Sequence, residues 1–337
     1  MTVIAVDAMG GDHAPHEIVH GAVLAAREFG VSVQLIGQED LIKQELKKHY
    51  TEYLPIEVIP AEDVIDMAET QPATAVRKKP NSSIAIAMNQ VASGKASGVV
   101  AAGSTGAATA AALFVLKRIV GIERPCIASV MPTHEKPIIL ADAGANVESV
   151  PENIFQNAIM GTALSKALFK IDRPRVGLLN IGEEPGKGSS IVKEAYQLLS
   201  GEPNLNFIGN VEGRGVPVGA CDVCACDGFV GNVFLKTAEG VAKMVTSMLR
   251  EELTRDVKSQ LGALLAKDSF YRLKKRLDYA EYGGAQLLGV KGVCVIAHGS
   301  SKQTAIKNAI RVAKDASDAN VIKLIENMVK AYVKNKT

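Results

Sequence analysis

Short apolar runs alternate with longer amphipathic segments along the 337 residues of the chain. The apolar runs predict β-strands at 2–7, 31–37, 54–60, 97–103, 175–182, 206–212, 222–228 and 293–299. The segments between them have helical periodicity, and two closely spaced apolar runs at 126–132 and 137–144 predict a hairpin-like extension. This alternation predicts an α/β fold with a doubly wound, mostly parallel sheet and right-handed crossovers.

The composition narrows the classes of protein that fit this pattern. The net charge of +2 argues against a nucleic-acid-binding protein, which normally has an excess of basic residues. No run of about 18 apolar residues is present, and the opening sequence lacks the pattern of a signal peptide. The spacing Cys221-x2-Cys224-x-Cys226 invites a metal-binding interpretation, but no second ligand cluster is near it in sequence. We therefore expect reduced, buried thiols, no metal site and a cytoplasmic protein.

The loops after the predicted strands are rich in glycine, aspartate, asparagine and serine. Ligands of doubly wound sheets bind beyond the carboxyl ends of the strands, so we expect these loops to meet at one edge of the sheet. The residues that we predict to bind substrate there are Asp7, Gly10, Gly11, Asp12, Gly103, Ser104, Thr105, Gly106, Asp142, Asn146, Asp227, Gly228 and His298. The first loop lacks the G-x-G-x-x-G spacing of a dinucleotide-binding turn.

Two glycine-rich loops are candidates for binding phosphate. Gly103 to Gly106 follow an apolar strand and open a helix, where backbone N–H groups and the helix dipole favour an anion. The same pattern is also typical of a tight turn that binds nothing. Lys187 lies in the second loop, GEEPGKG, which is one residue short of a P-loop and lacks its Ser or Thr. Its ammonium either neutralises phosphate as a point charge or is solvated.

Three polar residues near the strand ends each have a functional and a structural interpretation. Asn232, which follows DGFVG, either donates to a developing oxyanion or caps a helix. Asp12 either orients a ligand or caps the helix that begins near residue 15. His298 is either a catalytic or a structural histidine. Both interpretations stay open for each residue on this evidence.

The segment 250–277 differs from the rest of the chain. Its leucines recur near helical spacing beside a basic face, which is typical of a helix in an anionic membrane interface or of a hairpin packed on the core or a partner subunit. The residues that we predict to contact membrane or a carrier protein are Leu261, Leu264, Leu265, Lys267, Phe270, Arg272, Lys274 and Lys275. We place Phe270 at the hairpin tip, the hairpin at 250–290, and the catalytic domain at 1–249 and 291–337.

Segments spread over the whole chain resemble one known family. VDAMGGDHAP near the N-terminus, AAGSTGA at 101–107, LADAGAN at 140–146, CDGFVGNV at 226–233, DYAEYGGAQLLGV at 278–290 and AHGSS at 297–301 resemble the bacterial phosphate acyltransferases of phospholipid synthesis (PlsX). The resemblance implies transfer of a fatty acyl chain from acyl carrier protein to inorganic phosphate, without a cofactor. It also implies a homodimer with a fold like that of phosphotransacetylases and isocitrate/isopropylmalate dehydrogenases.

The resemblance also implies roles for particular residues. Lys187 and Asn232 fall at positions implied to be catalytic, and 250–277 falls on a projecting hairpin implied to touch the membrane surface. The product would feed a membrane glycerol-3-phosphate acyltransferase. Three other functions fit parts of the sequence: a short-chain phosphotransacetylase, a nicotinamide-dependent dehydrogenase on a related fold, and a membrane-surface adaptor. The missing dinucleotide pattern argues against the dehydrogenase, and the crowded loops argue against the adaptor.

Overall fold

The apolar runs of the sequence form one 11-stranded sheet within the part of the chain that is described. The computed structural model describes residues 1–277 and 279–336, apart from the side chains of residues 274, 279 and 333–336. The strands are β1 (Val3–Asp7), β2 (Ser32–Gly37), β3 (Ile56–Pro60), β4 (Gly98–Ala101), β5 (Cys126–Met131), β6 (Ile138–Ala141), β7 (Arg175–Asn180), β8 (Asn206–Glu212), β9 (Val223–Ala225), β10 (Ala285–Leu288) and β11 (Val293–Ile296).

The sheet contains two parallel blocks, in the strand order β3-β2-β1-β4-β11-β10-β5-β6-β9-β7-β8. Strands β3, β2, β1, β4 and β11 are parallel to one another, and β6, β9, β7 and β8 form a second parallel block. Between the blocks, β10 is antiparallel to β11 and to β5, and β5 is antiparallel to β6. The two blocks therefore run in opposite directions.

Helices connect the strands and cover both faces of the sheet. They are α1 (His16–Phe29), α2 (Glu39–Leu46), α3 (Pro72–Lys78), α4 (Ser83–Ala92), α5 (Thr105–Val115), α6 (Pro151–Phe169), α7 (Ser190–Ser200), α8 (Gly228–Thr254), α9 (Val257–Leu265), α10 (Lys267–Leu277), α11 (Gln303–Asp318) and α12 (Val321–Lys336). Within the described residues, none of these helices is both long enough and apolar enough to cross a membrane.

The strands of the first block are apolar on both faces because each face is covered by helices. In β1, Ile4 and Val6 pack into a core with α1, α6 and α11, while Ala5 packs into the opposite core with α4 and α5. Successive side chains of a strand point to opposite faces, so a continuous apolar run fills both cores. This arrangement confirms the predicted doubly wound, mostly parallel α/β fold and the predicted pairing of the runs at 126–132 and 137–144.

The segment 250–290 is helical at first and then returns to the sheet. α8 extends into it as a continuous helix, and α9 and α10 follow with a turn at Ala266. Phe270 lies within α10 rather than at the tip, so that placement is wrong. β10, which lies inside the range predicted as hairpin, is a central strand of the sheet. A four-residue run such as AQLL is too short for its periodicity to reveal a strand.

Candidate active site

The reversal of strand direction divides the predicted site residues into two groups. Loops after β1, β4 and β11 leave the carboxyl end of the first block, and loops after β6, β9 and β7 leave that of the second. The prediction that all these loops share one edge of the sheet is therefore wrong. It assumed that every strand points the same way, whereas the β5–β6 hairpin and β10 lie in the middle of the sheet and reverse its direction.

Asp7 and two glycines form the centre of the first group, which we call the Asp7 cluster (Asp7, Gly10 and Gly103). A Cβ atom on Gly10 would lie 2.7 Å from the backbone nitrogen of Gly103 and 2.8 Å from Oδ2 of Asp7, so only glycine fits there. The buried Asp7 carboxylate accepts a hydrogen bond from the backbone N–H of Met9 at 3.2 Å. Burial nevertheless raises the pKa of Asp7 above its ordinary value.

Asp12 and His298 flank the Asp7 cluster. The backbone N–H of Asp12 donates to the carbonyl of Gly299 at 2.9 Å, which joins the loops after β1 and β11. The N-cap position of α1 is Pro15, so the interpretation of Asp12 as the helix cap is wrong. Nδ1 of His298 accepts from the backbone N–H of Ser300 at 3.2 Å and lies 2.8 Å from its hydroxyl oxygen. The histidine ring is thus fixed by its own loop.

The turn after β4 brings the other predicted glycines and hydroxyls to the same end of the sheet. Ser104 occupies the N-cap position of α5 without a side-chain cap hydrogen bond, and Thr105 is the first helical residue. A Cβ atom on Gly106 would lie 2.8 Å from Cγ of Pro72. In the loop after β1, Gly11 has a φ of 107°. The turn therefore presents two hydroxyls at a helix start, where an anion is favoured.

A buried carboxylate organises the second group, which we call the Asp142 cluster (Asp142, Gly144, Asn146, Gly228 and Asn232). Asp142 follows β6 and is fully buried. Its Oδ1 accepts the backbone N–H groups of Ile127, Gly144 and Ala145 at 3.0, 3.0 and 2.9 Å. Its Oδ2 accepts the backbone N–H of Asn146 at 3.0 Å and its Nδ2 at 2.8 Å. Burial raises the pKa of Asp142, although these hydrogen bonds act in the opposite direction.

Asn232 lies near the start of α8, beside the Asp142 loop. A Cβ atom on Gly144 would lie 3.2 Å from both Cβ and Cγ of Asn232, so the two residues are in contact. Asp227 caps α8, because its Oδ1 accepts the backbone N–H of Val230 at 2.9 Å. The interpretation of Asn232 as the helix cap is therefore wrong. Its side chain is exposed at the positive end of the α8 dipole.

Two glycines let the first turn of α8 rest directly on the Asp142 loop. A Cβ atom on Gly228 would lie 2.3 Å from the carbonyl oxygen of Asn146 and 2.8 Å from Oδ2 of Asp142. A Cβ atom on Gly231 would lie even closer to the carbonyl oxygen of Asp142. These contacts set the position of Asn232 relative to the loop. Gly231 was missed in the sequence, where its only signal was its place in the DGFVGN segment.

Lys187 lies in the loop between β7 and α7. The Asn180 side chain at the end of β7 donates through Nδ2 to the carbonyl of Lys187 at 3.0 Å. Gly188 has a φ of 93°, and a Cβ atom there would lie 2.6 Å from Oδ1 of Asn180. Asn210, within β8, donates to the carbonyl of Glu184 at 2.8 Å. Two strand asparagines thus fix the loop, and neither was predicted as a site residue.

Lys187 and Asn232 share one end of the second block. Strand β9 pairs in parallel with both β6 and β7, so the loops that carry Asp142, Asn232 and Lys187 leave three neighbouring strands. Neighbouring strands lie about 4.7–4.9 Å apart. The Lys187 side chain is exposed and makes no ion pair within the described part of the chain. An ammonium, an amide and a helix start therefore occur together beyond these strands.

Cys221, Cys224 and Cys226 lie in or next to β9. All five cysteines of the chain are free and buried. Burial, and then the nearby charge of Asp142, raises the pKa of Cys226 well above its ordinary value, so this thiol is protonated. The described residues contain no group of three or more His, Cys, Asp or Glu side chains placed to hold a metal ion. Cys221, Cys224 and Cys226 are thus core residues.

Comparison with known proteins assigns the chain to a family. Residues 2–324 match the family described as "Fatty acid synthesis protein". The phosphate acyltransferase of Gloeobacter violaceus is 48% identical over 328 residues, covering 97% of this chain and 96% of that protein. The phosphate acyltransferase of Trichodesmium erythraeum is 47% identical over 336 residues, covering 99% of this chain and 98% of that protein. The chain belongs to the fatty acid synthesis protein family and is a relative of these phosphate acyltransferases.

Solved structures of more distant proteins have the same fold as this chain. The EutD phosphotransacetylase of Staphylococcus aureus is 16% identical, with a TM-score of 0.60 and coverage of 94% of both chains. A phosphotransacetylase of Streptococcus pyogenes is 18% identical, with a TM-score of 0.61 and coverage of 94% of both chains. A 4-hydroxythreonine-4-phosphate dehydrogenase of Klebsiella pneumoniae is 14% identical, with a TM-score of 0.52, and covers 97% of this chain and 99% of its own. These similarities confirm the predicted phosphotransacetylase-like fold.

Proposed function

We propose that this protein transfers a long-chain fatty acyl group from the thioester of acyl carrier protein to inorganic phosphate, giving acyl phosphate for phospholipid synthesis. The observation that carries the proposal is the 47–48% identity, over nearly the whole chain, to proteins named phosphate acyltransferase. The grouping of Lys187 and Asn232 beyond neighbouring strands supports it, because both positions match those that the family resemblance implies to be catalytic.

To catalyse this reaction, the protein must position the substrates and stabilise negative charge, and it does not need a covalent nucleophile. A phosphate oxygen attacks the thioester carbonyl carbon, the C–S bond breaks, and the donor leaves as a thiolate that takes up a proton. In the proposed mechanism, the Lys187 ammonium holds phosphate, and the Asn232 amide donates to the oxyanion of the tetrahedral intermediate. The fixed Asp142 loop keeps Asn232 in place during the reaction.

The proposal assigns the Asp7 cluster to substrate binding as well. Neighbouring strands rotate relative to each other by roughly 20–25°, so the six steps from β1 to β9 accumulate about 120–150°. For two blocks that run in opposite directions, this rotation turns both carboxyl ends toward one side of the molecule. The two groups of loops can therefore line one cleft, with the turn at Gly103 to Gly106 as a second anion-binding element.

The segment formed by α9 and α10 is proposed to contact the cytoplasmic membrane surface. The side chains of Leu261, Leu264 and Leu265 are 58%, 66% and 83% exposed, which is unusual for leucine in a globular protein. Lys267, Arg272 and Lys275 are exposed on the neighbouring helix, whereas Phe270 is partly buried and the Lys274 side chain lies outside the described residues. Apolar and basic groups side by side fit an anionic interface, where an acyl phosphate can pass to a membrane acyltransferase.

A homodimer is also part of the proposal. The face of α8 beyond its first turns carries a row of exposed apolar residues at helical spacing: Val233, Val241, Met244, Val245 and Met248. A contiguous apolar surface of this kind marks a site of protein association. A second copy of the chain, packing along α8, would cover it.

A comparison of acyl donors tests the proposal against its nearest rival. A short-chain phosphotransacetylase has the same fold, and would act on acetyl-CoA. The proposal predicts phosphate-dependent release of thiol from palmitoyl-carrier protein and much slower release from acetyl-CoA. Faster turnover of acetyl-CoA would support the rival. A change of absorbance when nicotinamide cofactor is mixed with hydroxy acids would instead support a dehydrogenase.

A further inference from the structure

A surface groove lies at the end of α5, outside both groups of site residues. Its volume is about 540 Å³, within the range of small-molecule sites, and it is lined in part by Leu113, Phe114, Lys117, Arg118, Val120 and Lys291. Among the described residues that line it are three cations and no carboxylate. We call it the basic groove. Its charge and its apolar wall together fit an elongated ligand that carries a negative group.

Backbone contacts fix the two segments that carry the lysines of the basic groove, and they also fix the Arg118 guanidinium. The backbone N–H of Lys291 donates to the carbonyl of Lys117 at 2.9 Å, which places the two lysines on adjacent segments. The Arg118 guanidinium donates to the carbonyls of Ile122 and Glu123, which fix its position without neutralising its charge. Lys117 has a φ of 65°, a conformation that a residue with a side chain rarely adopts.

A short path of contacts joins the basic groove to the Asp142 cluster. Ile122, in the floor of the groove, lies three residues before Pro125, so their Cα atoms are at most about 11 Å apart. A Cβ atom on Gly289 would contact both residues, at 3.0 Å from Cγ2 of Ile122 and 3.2 Å from Cα of Pro125. The carbonyl of Pro125 accepts a hydrogen bond from Nδ2 of Asn146 at 2.8 Å. The groove therefore adjoins the loop on which Asn232 rests.

A second basic surface, on α10, lies farther from that loop. Arg276, at the end of α10, donates to the carbonyl of His134 at 2.8 Å, in the turn between β5 and β6. Asp142 is at the opposite end of these strands, where it accepts the backbone N–H of Ile127. The six residues of β5 separate the two ends by roughly 17–20 Å. Arg276 thus lies a strand length away from the loop on which Asn232 rests, whereas the basic groove adjoins that loop.

We propose that the basic groove receives the phosphate-bearing arm of the thioester donor, and this inference rests on the proposed acyl transfer. The arm of such donors begins with a phosphodiester and continues as a flexible chain to the sulfur. In the groove, the three cations bind the phosphodiester, and Phe114 and Val120 contact the chain. The thioester at the far end of the arm then reaches the Asp142 cluster.

The test uses the full-length protein with Lys117→Glu, Lys291→Glu and the double variant, together with the exposed Lys330→Glu as a control for a change of charge. With palmitoyl-carrier protein and saturating phosphate, the double variant is expected to raise the KM for the donor about tenfold or more. Its kcat, its KM for phosphate and its melting temperature should match those of the wild type, and Lys330→Glu should change none of them. An unchanged KM for the donor in the double variant would overturn the proposal.

Competition identifies which part of the donor the groove binds. Free 4′-phosphopantetheine is expected to inhibit the wild type at least tenfold more strongly than pantetheine, and the double variant should lose this difference. If the two compounds inhibit the wild type equally, the groove does not bind the phosphate of the arm, and the inference fails. If the wild type releases no thiol from any donor, the proposed function fails before the groove is tested.

Discussion

Asn146 donates both its backbone N–H and its side-chain Nδ2 to the same oxygen of Asp142, at 3.0 and 2.8 Å. The same Nδ2 also donates to the carbonyl of Pro125 at 2.8 Å. These bonds close the loop after β6 around a buried carboxylate and tie it to the segment before β5. The loop is thereby a rigid support for the first turn of α8, which carries Asn232.

Replacing Gly228 should show how closely α8 rests on that loop. A Cβ atom at this position would lie 2.3 Å from the carbonyl oxygen of Asn146, a backbone atom that cannot rotate away. We expect Gly228→Ala to lower the free energy of unfolding by about 1–3 kcal/mol, the usual cost of overpacking, and to reduce turnover by shifting Asn232. Thermal or urea denaturation measures the first effect, and steady-state kinetics measures the second.

Gly240, in the middle of the same helix, is the matched control. A Cβ atom there has no neighbour within 4 Å. Because glycine lowers helix stability by about 0.5–1 kcal/mol relative to alanine, Gly240→Ala should raise the free energy of unfolding by about that amount. Its turnover should equal that of the wild type. Equal stability of the two alanine variants would contradict the close contact at Gly228.

The Lys187 ammonium should bind phosphate and have little effect on the acyl donor. A hydrogen bond to a charged group is worth about 1.5–3 kcal/mol, so we expect Lys187→Ala to raise the KM for phosphate at least tenfold. The KM for the acyl donor should change much less. Lys193→Ala, which removes an exposed lysine from the following helix, serves as the control. A KM for phosphate that is the same in both variants would remove Lys187 from the phosphate site.

The stability of the protein should depend on the protonation of Asp7. Burial raises the pKa of this carboxyl above its ordinary 3.8, so the folded chain binds its proton more tightly than the unfolded chain does. The contribution of Asp7 to the free energy of unfolding is therefore fully present below the unfolded pKa and is lost as pH rises through the folded pKa. Asp7→Asn should gain stability relative to the wild type as pH rises over that window.

Melting temperatures measured from pH 4 to pH 8 test this dependence on Asp7. The difference between Asp7→Asn and the wild type should increase with pH. The exposed Asp172→Asn shows the effect of removing one negative charge from the surface. Parallel curves for Asp7→Asn and the wild type would mean that Asp7 titrates alike in the folded and unfolded chains.

The exposed leucines of α9 should be needed for binding to membranes. Burying one leucine is worth roughly 1.5–3 kcal/mol, so Leu264→Glu should weaken binding to phosphatidylglycerol vesicles about tenfold or more. Acyl transfer in solution should persist. Ser259→Glu adds the same charge on the other side of α9 and controls for the change of charge. If both variants bind vesicles as the wild type does, the leucines pack against protein instead.

Much of the fold could be predicted from periodicity, because long apolar runs such as that of β1 are buried on both faces. The direction of the strands in the middle of the sheet could not be predicted from periodicity. A run such as AQLL in β10 is short, and neither its pairing with β5 nor its orientation has a local signal. The prediction of a single edge for the loops failed for this reason.

The candidate site was predictable where glycine and acidic residues follow strands, as at Asp142 and Gly228. It was not predictable where a residue acts by supporting another one. Asn180 donates through Nδ2 to the carbonyl of Lys187, and Asn210 donates to the carbonyl of Glu184 from the neighbouring strand. Such contacts depend on which elements the fold brings together, so residue type alone does not identify them.

The most direct test of the account is the formation of acyl phosphate by the purified protein and by its Asn232→Ala variant. Palmitoyl-carrier protein and labelled phosphate should give labelled, acid-labile palmitoyl phosphate and an equal amount of free carrier thiol. Loss of one oxyanion donor typically lowers kcat about 10²- to 10³-fold, so the variant should retain its melting temperature and lose turnover by that factor. A wild type that incorporates no label, or a folded variant that works at the wild-type rate, would contradict the account.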